Sequence, residues 1–451
     1  MKARCVKLRD VFSSMRFDGG YHNADVNVYD KVIRKHSQHT LDYYCSDIFT
    51  SGRTKRIYTE PEYGYPFLSN ADVVSANPFQ SCKYSSKKYG FDPNAVLKEG
   101  MILTGRVGAI GQTAFVPAFI EKAKAMGSDN IIRIVVKTSY RNGFIYAYLA
   151  SKMGNLAFWK LATGGVQPFI TDAMVGKLPI PVFPESFQAE VDNLIQESAR
   201  LREEANDKLE EAHKKILSII PHEDILPSNS ISIKKIESSH NKRFDATYYN
   251  SKNRALYDYI TTKKSFTTLG NLAEDIFRPG IFKREYVNNG VTFLGGADIL
   301  RAVPSSDKKL SFRQVKKMPE LIAKKGWILV TCGGTIGNTV YVDSQLEKCA
   351  ISQHVMRIVP KESTLSGYLY AVLSSELGNK LINMFAFGSV IPQVEPHHLK
   401  HVPIPLFSEE EMASIDNQVK IYVSDIEMAK EKETRAIKMV EDEIEKWNKS
   451  N

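Results

Sequence analysis

The chain has 451 residues, a formal charge of +9, and 43% hydrophobic, 10% aromatic and 25% charged residues, enough to build at least two domains with buried cores. Five cysteines, Cys5, Cys45, Cys82, Cys332 and Cys349, none in C-x-x-C spacing, exclude a disulfide scaffold and a zinc ribbon. No apolar run approaches the ~18 residues of a membrane helix and residues 1–14 lack the apolar stretch of an export signal, so a cytoplasmic protein is expected.

Taken in chain order, the predicted elements occur twice, at an offset that drifts by only a few residues, which makes the chain a domain duplication. An R-F-D-x-x-Y pattern opens each half, at Arg16-Phe17-Asp18 with Tyr21 and at Arg243-Phe244-Asp245 with Tyr248. Arg53, Lys55 and Arg56 precede an expected strand at Phe67, and Arg278, Lys283 and Arg284 precede its counterpart at Phe293. Next come GMILTGRVGAIGQTAFV (Gly100 to Val116) and GWILVTCGGTIGNTVYV (Gly326 to Val342), aligned without a gap. Apolar runs on either side of a glycine-rich turn predict strand, tight turn, strand. A further buried strand is expected at Ile131 to Val136 and at Val355 to Val359, then a helix from Gly143 and from Gly367. Pro179-Ile180-Pro181 and Pro403-Ile404-Pro405 close the domains as breaks in regular structure, because proline removes a donor.

Each half then ends in a long helix, expected at 184–220 and 408–448. The second carries Met412, Ile415, Val419, Tyr422, Ile426, Ala429, Ala436, Val440 and Trp447 at spacings of three and four, interrupted by Glu433; the first carries Val191, Leu194, Leu201, Ala205, Leu209, Ala212, Ile216 and Ile219. Helices of about 50 to 60 Å are too long to bury one face on a small domain, so the two are expected to pair with each other. The expected fold is therefore α/β (α+β): recognition domains at 1–183 and 241–407, spacer helices at 184–220 and 408–448 forming an antiparallel coiled coil, and a Pro- and Ser-containing linker at 221–240. The helices carry −4 and −6, which leaves +19 on the remaining residues. A polyanion would therefore bind the domains and not the helices.

Catalytic motifs are missing. Gly176-Lys177 lacks the rest of a P-loop, and Asn77-Pro78-Phe79 lacks the second proline of an amino-methyltransferase loop and has no glycine-rich cofactor loop before it. His397, His398 and His401 have no matching cysteine or carboxylate for a metal, and G-x-S-x-G does not occur. The chemically suggestive groups are cationic and polar residues on turns: Arg106 and Gln112 in the first glycine turn, Thr331, Thr335 and Asn338 in the second, with Cys332 at the position of Arg106. Together with Arg53, Lys55, Arg56, Arg278, Lys283 and Arg284 they suit phosphate neutralisation and base reading.

The repeated R-F-D-x-x-Y pattern, the I-L-x-x-x-x-G-x-I-G hairpin at Ile102 and Ile328 and the P-I-P-x-F close at Pro179 and Pro403 resemble the specificity subunits of type I restriction-modification systems, over nearly the whole chain. The resemblance implies a non-catalytic subunit with two target recognition domains, each binding half of a split DNA site. It also implies adenine-methylating modification subunits, two in number, docked on the helices, with restriction subunits joining them. S-adenosylmethionine and ATP would then belong to the partners, and this chain would hold no cofactor or metal. Two other readings stay open at this point: a two-headed protein-binding scaffold, and a self-sufficient DNA methyltransferase with degenerate motifs.

Overall fold

The computed structural model describes residues 5–19, 21–22, 24–53, 55–220, 225, 232–237, 242–244, 246–249, 251–388 and 390–449. Most of the expected linker at 221–240, and Asp245 of the second R-F-D pattern, lie outside them. The chain divides into two units, Met1–Glu203 with Met428–Asn451, and Glu204–Glu427. Among the described residues no helix is long and apolar enough to cross a membrane.

In the first unit a four-stranded antiparallel sheet runs in the order Cys45–Thr50, Ile131–Val136, Ile102–Gly105, Thr113–Phe115. A second sheet orders Tyr58–Thr59, Lys83–Ser86, Gly64–Leu68 and Met126–Gly127, its last pair parallel. The second unit repeats the plan with Ala273–Phe277, Val355–Pro360, Ile328–Thr331 and Thr339–Tyr341, and with Lys309–Leu310, Tyr286–Leu294 and Ala350–Ile351. The predicted hairpins, central strands and following helices, Asn142–Ala150 and Ser366–Ser374, are all present. Those helices are buried almost all round, which explains their continuous apolar run.

The Pro-Ile-Pro segments differ from expectation. Each is a short strand, Pro179–Pro181 against Ser37–Thr40 and Pro403–Pro405 against Phe266–Thr268. Proline is tolerated because each sheet has only two strands, so an edge without a neighbour needs no donor. Its carbonyls still accept, from the Tyr148 hydroxyl to Pro179 at 3.0 Å and from Tyr368 to Pro405 at 2.6 Å.

One arginine lies wholly inside each unit. Arg133 donates to the carbonyls of Ile131 (2.9 Å), Gly127 (2.6 Å) and Ala95 (3.2 Å), and Arg357 to those of Ser352, Ile351 and Leu321 at 2.9, 2.6 and 3.2 Å. Each ties its central strand to the second sheet. Burial lowers both guanidinium pKa values to about 10, so both stay charged at neutral pH; their terminal nitrogens are met by carbonyl dipoles, while each buried Nε has no hydrogen-bond partner.

The long helices are Glu185–Leu217 and Glu409–Lys449. In the first unit Glu190 meets Arg435 at 3.3 Å, Glu197 meets Lys432 at 2.8 Å, and the Ser198 hydroxyl donates to the Ala429 carbonyl at 2.8 Å. Rising numbers on one helix meet falling numbers on the other, so the segments run antiparallel there. In the second unit Ala205, Leu209, Ala212 and Ile216 share a core with Ile415, Val419, Tyr422 and Ile426. Val191, Leu201 and Val440 are buried as well, and Met412 is half-buried. Leu194 is only half-buried; Ile195 and Ser198 take the inner positions. The inner set is thus 191, 195, 198, 202, 205, 209, 212 and 216, alternating four and three, with Arg202 among them. Arg202 meets the interrupting Glu433 at 2.7 Å, and Glu433 also accepts the Tyr146 hydroxyl at 2.6 Å.

Each long helix is anchored to its own unit by a carboxylate. Asp192 accepts the Gly143 amide at 2.8 Å, and Asp416 accepts the amides of Gly367 (2.7 Å) and Tyr368 (3.2 Å). A side chain at Gly143 would place Cβ 2.7 Å from the Asp192 carboxylate, so the close approach requires glycine. The two aspartates correspond in the repeat, each being followed by an asparagine, Asn193 and Asn417.

Candidate nucleic-acid interface

The glycine turns gather the other predicted site residues around them. In the first unit the Arg106 amide donates to the Asn130 carbonyl at 2.8 Å, and its own carbonyl accepts from Ile170 at 3.0 Å. The neighbouring Asp129 pairs with Arg56 at 2.6 Å and Arg53 at 3.7 Å, so Arg53, Arg56 and Arg106 share one loop cluster. Arg106 and Gln112 are half-buried, and Arg53 and Lys55 are exposed. Part of the Arg56 charge is already neutralised by Asp129.

The second unit builds the same cluster from corresponding positions. The Cys332 amide donates to the His354 carbonyl at 3.1 Å, and Val394 donates to the Cys332 carbonyl at 3.1 Å. Arg284 reaches the Gln353 amide oxygen at 3.4 Å and lies over the Phe293 ring. An open hollow of about 210 Å³ is lined by Arg284, Tyr286, Phe293, Asp298, Lys308 and His354. Arg278 is paired with Glu395 at 2.6 Å. Lys283 is exposed, and its carbonyl accepts from Gln314.

Two expectations about the second turn need correction. Thr331 and Asn338 are buried, and the Thr331 hydroxyl accepts the Asn338 main-chain amide at 3.1 Å, while the Asn338 side-chain oxygen is buried without a partner; neither side chain is exposed on the turn. Thr335 stands exposed at its tip, beside Gly334. Cys332 is also enclosed, its thiol pKa raised by burial and held back in part by Arg278. The two turns therefore differ by an accessible cation against a buried thiol.

Residues 263–433 match the family described as type I restriction modification DNA specificity domain. The specificity subunit of the type I restriction enzyme MjaIX from Methanocaldococcus jannaschii is 27% identical over 138 residues, 31% of this chain and 31% of that protein, so the match spans about a third of that relative's length. The S subunit of a type I restriction-modification system from M. genitalium aligns at 13% identity and a TM-score of 0.35, over 91% of this chain and 94% of that one. The HsdS subunit from Thermoanaerobacter tengcongensis aligns at 16% identity and a TM-score of 0.29, over 90% and 95%.

In the second unit His398 takes a structural place: its Nδ1 accepts the Glu395 amide at 3.1 Å and its ring stacks on Phe385. Among the described residues no group of three His, Cys, Asp or Glu side chains is arranged to hold a metal ion. Sequence reasoning overlooked a cationic and aromatic patch in the first unit. Lys83 lies over Tyr58, which packs on Phe67 under Arg56, and Lys87 and Lys88 lie over Tyr65 and Tyr89. Tyr63 and Tyr89 are exposed. The run Lys87-Lys88-Tyr89 was the available signal, since interleaved lysine and aromatic residues suit a phosphate backbone with adjoining apolar faces.

Proposed function

We propose that the chain is the DNA-reading specificity subunit of a type I restriction-modification complex. Each unit reads one block of a split, asymmetric target, and the two blocks are separated by a fixed unread spacer. In this reading the long helices pair as an antiparallel coiled coil and dock two modification subunits, with restriction and translocase subunits joining them. The chain supplies recognition and no catalytic group. S-adenosylmethionine and ATP are bound by the partners, and the complex works in the cytoplasm.

The observation that carries the reading is the repeated loop cluster. Two units with the same strand order in their antiparallel four-stranded sheets present the same glycine turn beside the same neighbouring loop, and the side chains on that frame differ, as two readers of different base sequences require. The +19 outside the helices supports a polyanionic ligand over a protein one.

Methylome sequencing of the host with and without the gene tests the reading directly: one bipartite motif disappears on deletion. Exchanging residues 1–183 for the corresponding domain of a relative then changes one block and leaves the other intact. A methylome indifferent to the deletion refutes the function, and simultaneous change of both blocks refutes independent readers.

A further inference from the structure

Beside each glycine turn stands a second turn that the interface above does not use. In the first unit it runs from Thr163 to Phe169, closed by reciprocal main-chain bonds of 3.0 and 2.8 Å between those two residues. In the second unit Phe387 and Gln393 exchange the same two bonds, also at 3.0 and 2.8 Å. Gly164 and Gly388 share φ +97°, and a Cβ there would lie 2.9 Å from the Gln167 carbonyl oxygen or 2.8 Å from that of Ile391. At Gly164 and Gly388 both turns therefore need a backbone angle and a close approach that only glycine permits.

Each finger is fixed at its base and flank. Arg16 of the first R-F-D pattern donates to the Ala162 carbonyl at 2.6 Å, and Arg243 of the second to the Ala386 carbonyl at 3.0 Å. Val107 bridges to Phe169 and Gly333 to Gln393, so finger and glycine turn form one continuous edge.

At the tip, Val166 is fully exposed and Val390 is 89% exposed. A branched hydrocarbon held in water by a rigid, clamped frame gains free energy only when something covers it. Val166 and Val390 occupy corresponding positions and are the same residue, whereas Gln167 answers Ile391, Phe169 answers Gln393 and Arg106 answers Cys332. In a duplicated reader, what both copies retain serves what the two half-sites share, and what has diverged serves the difference.

We propose that the Val166 and Val390 fingers are DNA probes that enter a groove beside the glycine turns. They make a sequence-independent apolar contact with sugars and base edges that sets the depth and register of the divergent turns. The occupant is duplex DNA because the fingers are continuous with the loop clusters holding Arg53, Arg56, Arg106 and Arg284. DNA also offers apolar sugar and base faces between its phosphates. This inference rests on the DNA-reading function.

The test uses the assembled complex and duplexes carrying the motif mapped in the host, comparing wild type with Val166→Ser, Val390→Ser and the double variant. Each single change weakens specific binding about tenfold and the double about a hundredfold. The slope of log K against log salt stays unchanged, because an apolar contact releases no counterions. Thermal midpoints stay at the wild-type value, since both side chains project into solvent. Wild-type complex that binds no DNA overturns the DNA-reading function itself. Wild type that binds, with variants within twofold of it, overturns the probe alone. Variants that keep DNA affinity but lose a co-purifying subunit also overturn it, reassigning the fingers to protein docking.

Discussion

Replacing Glu433 by alanine removes the acceptor of two enclosed donors at once. In wild type Glu433 receives the Arg202 guanidinium at 2.7 Å and the Tyr146 hydroxyl at 2.6 Å, and the side chains of Arg202 and Glu433 are only 13% and 11% exposed. Tyr146 is held well above its ordinary pKa by burial and then by Glu433, so it remains a neutral donor. Stranding a buried cation costs about 3 to 5 kcal/mol, and stranding a buried hydroxyl about 1 to 3 kcal/mol. The sum is not additive, and roughly 4 to 6 kcal/mol is expected for the unit. For a unit of this size about 2 to 4 °C accompanies each kcal/mol, which predicts a fall of roughly 10 to 20 °C in the melting of the first unit. The assay is tryptophan fluorescence in a Trp327→Phe background, because the remaining tryptophans, Trp159 and Trp447, both lie in that unit. Pairing Glu433→Met with Arg202→Met should recover most of the loss, since two apolar residues of similar volume leave no orphaned charge. A shift below about 1 kcal/mol for Glu433→Ala, or no recovery in the double variant, refutes the account of the paired seam residues.

Asp416→Ala leaves the amides of Gly367 and Tyr368 without an acceptor and should cost the second unit about 1 to 3 kcal/mol in urea unfolding; an unchanged midpoint would show that the anchor contributes nothing. Arg133→Met leaves three main-chain carbonyls unpaired inside the first unit, with an expected loss of at least ~3 kcal/mol, and soluble protein of wild-type stability would contradict it. Burial holds the His213 ring at a pKa of about 4, below its ordinary 6.5, so from pH ~6.5 down to ~4 the unfolded chain binds a proton that the folded one does not. The second unit should therefore lose stability on acidification, by up to ~3 kcal/mol at pH 4, and His213→Gln should flatten that slope; identical slopes in variant and wild type would disprove it.

The duplication, the hairpin strands and the helices after them were legible because each is written in a short local pattern: apolar runs flanking Gly108 and Gly111, or Gly334 and Gly337, then an apolar helical run. What was not legible depends on residues far apart in sequence. Nothing near Arg56 announces Asp129, and nothing near Arg278 announces Glu395. Thr331 and Asn338 looked like surface polar groups because a polar residue enclosed in its own turn has the same letter as one facing solvent. Arg202 was passed over for a related reason. A seam sought only in apolar residues skips a cation whose partner, Glu433, lies on the other helix, and that skip shifted the inner position from Ile195 to Leu194. The Pro-Ile-Pro segments were misjudged because missing donors matter only where a second neighbouring strand needs them.

The carboxylate anchors of the long helices bear on how one domain of this fold could be exchanged for another by recombination. Asp192 and Asp416 each accept the first amides of a helix whose glycine, Gly143 or Gly367, lies 49 residues earlier in the chain. A crossover anywhere between the glycine and the aspartate hands an incoming domain to a resident helix, and the joint is remade whenever the newcomer carries glycine at that one position. The exposed loops of a domain are thus free to change while the socket that holds it asks only for the absence of a side chain.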